Sequence, residues 1–301
     1  MNAHPRKLLL IPLLILVIGF RPALASDEDQ SEEAAIRDTV ERIMVAAGNY
    51  NEAEMRALAS WDALISYTYF RDGEWLANEM SLSDYFADLE SRTLRPYTEI
   101  VHDYDIHVSE GRVALVKADA VVNRFGVPGK REVNNMLLMK VDDQWKLMGI
   151  SWSVHELPAA ELAFDRAIFA RGYAQVWGSR RPDFVAQFFA EDGVLQVNDG
   201  APAEGREAIA EVAAAFMTDL PDMRVRFDRL VQEGDKTVFH WTLLATNSGP
   251  NGNGNPIEVS GYEVWEFSED NLIRSSQGHF PSEEYARQMG LTSGAEMGES
   301  E

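Results

Sequence analysis

At 301 residues, 46% hydrophobic and 25% charged, the chain has a globular composition and length enough for two domains. A net charge of −22 opposes binding to nucleic acid or to anionic lipid. With no cysteine, disulfides and a lipoprotein anchor are excluded, so apolar cores must supply the stability.

The first 25 residues read as an export signal. Arg6 and Lys7 form a basic start, Leu8 to Phe20 is an apolar run, and Ala23-Leu24-Ala25 is a small-x-small cleavage site. The run is short for a membrane span, and Arg21 and Pro22 end it. The expectation is an exported protein, periplasmic or secreted, that starts at Ser26 and leaves the membrane after cleavage. Losing Arg6, Lys7 and Arg21 without any acid makes the charge three units more negative. Residues 26–33, rich in Asp and Glu, read as a mobile acidic leader.

Ile36, Val40, Ile43 and Ala47 then recur at helical spacing. Asn51, with Glu54 three residues on, is a capping box for a short second helix through Leu58. Ala63–Phe70 is a strand closed by Arg71-Asp72-Gly73, and Ser81 or Ser83 caps a third helix. Strands follow at Glu99–Val108, Arg112–Phe125, Arg131–Val141 and Gln144–Val154. Their turns fall at Glu110-Gly111, Pro128-Gly129 and Asp142-Asp143.

The same order begins again after Pro158. A helix runs from Leu162 to Trp177, Pro182 opens a short one, and Gly193–Val197 is a strand closed by Asn198-Asp199-Gly200. Gly205–Met217 is a third helix. Strands follow at Met223–Gln232, Lys236–Thr246, Ile257–Phe267 and Leu272–Phe280, and Ser282 caps a final turn. Gly111 answers to Gly234, and Asp142-Asp143 to Glu269-Asp270, a spacing of domain size. The expected organisation is a first domain at 34–157, a second at 160–290 and a flexible tail at 291–301.

This order resembles the nuclear transport factor 2-like superfamily. The resemblance implies an α+β fold of two tandem cone-shaped domains, each three helices packed on a curved antiparallel sheet. The first half is similar to a general or lumazine-binding member, through the closing stretch Asp142–Ile150. The second resembles the SnoaL-like polyketide cyclases and ester cyclases. It does so through Trp241-Thr242, Thr246-Asn247-Ser248-Gly249, the strand Tyr262–Phe267 and the ending from His279 to Gly290. Such a cyclase needs a carboxyl to move a proton beside a carbonyl, and donors for the enolate. Where the cyclases carry a histidine at the end of the strand, this chain has Asn247. Where an aspartate follows the last aromatic, it has Pro281 after Phe280. In the related ketosteroid isomerases a tyrosine of the first helix is the oxyanion donor and an aspartate of the first strand is the base. Tyr173 takes the tyrosine's place, but the base position falls at Val197 in the second half and Tyr67 in the first, with Asp199 two residues too late.

Two readings of the second half follow. One is a binding protein for a small apolar or aromatic molecule, with Trp177, Asn198, Asp199, Asn247, Tyr262 and Trp265 as ligand contacts. The other is an isomerase, cyclase or hydrolase with His240, His279 and Tyr173 moving protons. A third, non-catalytic reading has the two cones docked on each other, or on a second copy, as a structural module. His240 and His279 enter the cone only if their strand faces turn inward; the alternative is the sheet's outer face. His102-Asp103-Tyr104-Asp105-Ile106-His107 suggests metal ligands, but such a row is more often a solvated strand face. Neither a metal nor a cofactor is expected. The loop Asn247–Pro256 reads as a lid or as a plain long hairpin.

Overall fold

The computed structural model describes residues 27–250 and 252–291, with side chains from Ser31 onward. The export signal, Ser26 and the tail beyond Leu291 lie outside the described residues. The first domain opens with α1 (Asp27–Gly48) and α2 (Glu52–Leu58), followed by β1 (Ala59–Arg71), β2 (Glu74–Ser81) and α3 (Leu82–Leu89). The meander β3 (Thr98–Ser109), β4 (Val113–Arg124), β5 (Val127–Val141) and β6 (Gln144–Glu156) completes it. The second domain repeats the series: α4 (Arg166–Trp177), α5 (Pro182–Ala186), β7 (Phe189–Val197), β8 (Ala203–Glu204), α6 (Gly205–Asp219). Then come β9 (Arg224–Glu233), β10 (Lys236–Thr246), β11 (Pro256–Phe267), β12 (Ile273–His279) and α7 (Ser282–Gln288).

The two sheets have the same strand order, β2-β1-β6-β5-β4-β3 and β8-β7-β12-β11-β10-β9. In each, the first strand lies parallel to the last strand of the meander, and all other neighbours are antiparallel. The fold is α+β, two tandem cones.

Local signals explain most boundaries. The Asn51 side chain accepts from Glu54 N, and Ser81 Oγ from Asp84 N, so each cap satisfies an orphan helix donor. Val141 pairs with Gln144 across Asp142-Asp143, both at positive φ, the geometry of a tight hairpin.

Four boundaries depart from expectation. The leader is helical from Asp27, since acidic residues suit a helix N-terminus. The turn expected at Pro128-Gly129 lies at Phe125-Gly126, both at positive φ, and Pro128 pairs with Asn123 within the sheet. α4 starts at Arg166, where Asp165 Oδ1 accepts from Ala167 N and Ile168 N. Ser282 is the first residue of α7 rather than its cap. The edge strands β2 and β8 add to the expected series; β2 is mostly exposed and carries no clean alternation.

The cores differ in character. The first is mainly aliphatic, built on Ile36, Val40, Leu138 and Leu147. The second is aromatic, with Phe169, Tyr173, Phe189, Phe239 and Trp265 fully buried in edge-on or stacked contacts.

The domains meet along α4. Gln175 Nε2 donates to Tyr97 O at 2.8 Å and to Asn49 Oδ1 at 3.1 Å, and Asn49 Nδ2 donates back to Gln175 O. Glycines permit the approach. A Cβ on Gly48 would fall onto Tyr97 O, and one on Gly172 would come within 2.8 Å of Thr98 Oγ1. A Cβ on Gly126 would come within 2.8 Å of both Asp165 O and Phe169 Cβ.

Candidate functional site

Two periodicities build the site in the second domain. On α4, Phe169, Tyr173 and Trp177 stand at four-residue spacing and share the buried face. On β11, Ile257, Val259, Gly261, Glu263 and Trp265 alternate onto the face covered by the helices. The full burial of Trp265 fixes that register, and the period of two then carries Glu263 inside with it.

Glu263 is 6% exposed. Its Oε2 accepts from Tyr173 Oη at 3.1 Å, Trp265 Nε1 at 2.9 Å and Ser276 Oγ at 2.6 Å. No hydrogen bond reaches Oε1 from any described residue. Burial pushes the carboxyl's proton affinity up, and the three donors oppose this without cancelling it. Burial and the nearby Glu263 raise the Tyr173 hydroxyl well above its usual range, so it stays a neutral donor.

Glu263 forms part of the wall of a cavity of about 60 Å³. The rest is apolar: Trp177 from α4, Val197 from β7, Phe216 from α6, Trp241 from β10, and Phe280 with Tyr285 at the start of α7. Tyr285 meets Phe280 and Phe216 at ring distances of 5.4 and 6.3 Å. One carboxyl in such a wall can exchange a proton with a bound molecule.

The family scan matches residues 170–276 to the SnoaL-like domain. This stretch is a SnoaL-like domain of the nuclear transport factor 2-like superfamily. No curated protein matches the chain. Among solved structures, one similar chain is a hypothetical protein with a ketosteroid isomerase-like fold from Catenulispora acidiphila DSM 44928. It is 22% identical over 40% of this chain and 90% of its own, with a TM-score of 0.36. A nuclear transport factor 2-like protein of unknown function from Burkholderia pseudomallei K96243 is 19% identical over 39% and 91%, TM-score 0.35. A phenazine biosynthesis-related protein from Pseudomonas aeruginosa is 16% identical over 45% and 91%, TM-score 0.33.

Within the SnoaL-like domain, Tyr173, Trp177 and Trp265 gather around Glu263, and Val197 lines the cavity at the place where the resemblance puts a base. His240 and His279 do not join them. Phe239 and Trp241 take the inner face of β10, so alternation sends His240 outward. There His240, Tyr262 and His279 form a row, with ring distances of 5.8 and 4.9 Å. Tyr262 is 39% exposed, and partial burial with the neighbouring Arg229 lowers the His240 pKa.

Asn198 Oδ1 accepts from Phe280 N at 2.9 Å, tying the end of β7 to that of β12, and Asp199 is exposed in the turn. Asn247 is buried, and its Nδ2 donates to Met289 O and Asn253 Oδ1. Asn255 Nδ2 adds a bond to Gln288 O. These bonds fasten the β10–β11 loop to the end of α7.

The interior of the first domain is different. Glu99 on β3 accepts from Asn134 Nδ2 at 2.7 Å, and burial with the nearby Glu132 pushes its pKa up to about 7. Lys130 Nζ lies 2.5 Å from Glu132 Oε1. The row of His102, Asp103, Asp105 and His107 is exposed, with His107 Nε2 3.2 Å from Asp105 Oδ1.

Proposed function

We propose that the SnoaL-like domain binds a small apolar molecule in its cavity and that Glu263 moves a proton on it. The carrying observation is the carboxyl itself. Three donors hold Oε2, and among the described residues Oε1 has no partner, in a wall that is otherwise mostly apolar. A raised proton affinity brings a carboxyl closer to neutral pH, where a group can both take and return a proton. The resemblance looks for this group at Val197 or after Phe280; here β11 supplies it. The superfamily's usual roles, small-molecule binding and cyclase or isomerase chemistry, accord with this reading.

The cavity sets the scale. Its 60 Å³ is below the roughly 150 Å³ that admits benzene. On that scale roughly two or three heavy atoms fit it as it stands, and a larger ligand such as butan-2-one requires a wall residue such as Tyr285 to move. The test is exchange of the α-hydrogens of butan-2-one for deuterium, followed by NMR. Catalysed exchange that falls about 10²–10⁴-fold in Glu263→Gln supports the proposal. Equal exchange in both proteins overturns it and leaves binding without proton transfer. We also propose that residues 1–25 direct export; cell fractionation with and without them tests this.

A further inference from the structure

The outer face of the first domain's sheet, away from its helices, is hollowed into a trough. Two compartments of about 540 and 500 Å³ lie along it and share Ser66, Asn135 and Ser151, so they are continuous. The strand register sets out the floor in rows. Leu115, Leu137, Gly149 and Leu64 are successive partners across β4, β5, β6 and β1. Two residues along, the row is Lys117, Asn135, Ser151, Ser66 and Glu79. Then come Ser153 and Thr68, opposite each other. Alternation puts Phe70 and its partner Trp75 next on the same face, and the Trp75 ring lies 6.4 Å from that of His155. From Leu64 to Phe70 the trough runs roughly 20 Å.

Three features define what fits it. Phe70 and Trp75 are each 58% exposed with rings 5.6 Å apart, a patch rather than a stray exposure. Between them and the leucines stand hydroxyls and an amide, groups that both donate and accept. Among the described residues the Ser66, Thr68 and Ser151 hydroxyls and the Glu79 carboxylate have no hydrogen-bond partner. Charge is the third feature. Of the residues lining the compartment nearer the aromatic rings, Glu79 alone is charged, in a chain of net charge −22. Arg131, beside His155, is paired with Asp119, so an anionic ligand meets no free cation there. Asp72 and Glu74 at the hairpin tip also oppose an anionic lipid surface.

We infer that this trough binds a neutral oligosaccharide. A sugar ring is a C–H face rimmed by hydroxyls that donate and accept, and the trough divides its chemistry in the same way. The C–H faces pack on Trp75 and Phe70, which offer flat apolar area at the end of the trough. The sugar hydroxyls exchange hydrogen bonds with Ser66, Thr68, Ser151 and Asn135, and Glu79 accepts the stronger, charge-assisted ones. The site is separate from the cavity of the second domain and does not depend on its chemistry.

The experiment titrates the full protein, carrying ¹⁵N-labelled tryptophan, with cellohexaose, maltohexaose and chitohexaose. Hexagalacturonate serves as the anionic control. At least one neutral hexasaccharide should shift the Trp75 indole N–H and saturate at millimolar concentration. Trp75→Ala and Phe70→Ala should each weaken that binding roughly tenfold. Should a variant not fold, through-space contacts between sugar C–H protons and the Trp75 ring locate the site in the unaltered protein. No response to any of the three neutral sugars overturns the inference. So does binding that both variants leave unchanged, or hexagalacturonate binding as tightly as the neutral sugars. Sedimentation that shows a dimer split by Trp75→Ala also overturns it, because a second copy then covers the face. Glu263-dependent exchange should be the same in Trp75→Ala as in the parent protein, so this inference and the proposed function fail separately.

Discussion

The Tyr173 hydroxyl on α4 reaches Glu263 Oε2 on β11 at 3.1 Å, joining the first helix of the second domain to the centre of its sheet. The donor stabilises the carboxylate form, so it works against burial in setting the proton affinity. Tyr173→Phe is therefore expected to raise the Glu263 pKa further. It should also cost about 1–3 kcal/mol of stability if the buried oxygen is left short of a donor. Carboxyl ¹³C titration and urea unfolding measure the two effects. An unchanged or lowered Glu263 pKa would remove Tyr173 from its control.

Glu99 gives a pH signature to the first domain. Its folded pKa of about 7 stands above the ordinary 4.5 of a glutamate, so the folded state holds the proton more tightly. Its stabilising contribution is full below pH 4.5 and is lost as pH rises through 7. The difference is worth about 3 kcal/mol as an order of magnitude. Glu99→Gln should flatten the decline of stability between those pH values, as read by denaturant unfolding across the range.

The glycine at the domain junction offers a packing test. Gly48→Ala places a methyl on Tyr97 O, which can yield only by moving the chain that also accepts from Gln175. A loss of about 1–3 kcal/mol is expected, as for other overpacked sites. Thermal unfolding of the variant should show it; an unchanged melting temperature would mean that the junction is slack.

The outer histidines supply a control. The double variant His240→Ala, His279→Ala should leave Glu263-dependent exchange intact, since both rings stand on the far side of the sheet from the cavity. Loss of exchange in a folded double variant would restore them to the chemistry.

The repeat was legible because its hairpins are written in Asp, Asn and Gly, and because the strands between them alternate. Edge strands escaped: β2 is too exposed to alternate, and β8 is two residues long. The site was half legible. Tyr173 and Trp177 follow from helical spacing on α4. Alternation separates the two faces of a strand but does not say which faces inward. On β10 it left His240 and Trp241 as rivals, and on β11 Tyr262 and Glu263. Each β11 face holds both an acid and an aromatic, so composition could not break the tie. The available signal was Trp265, large and apolar at the parity of Glu263. The resemblance also places its carboxyl at Val197 or Pro281, at strand ends rather than in the middle of the sheet.

Gln175 reaches from α4 into the first domain and Gly172 lets Thr98 approach, while Tyr173 points into the second, so one helix serves both lobes. Cutting the chain between the lobes would strip a polar flank from the very rod that carries the site's tyrosine. The first lobe thus seats the outer flank of a helix whose inner flank holds the carboxyl of the second.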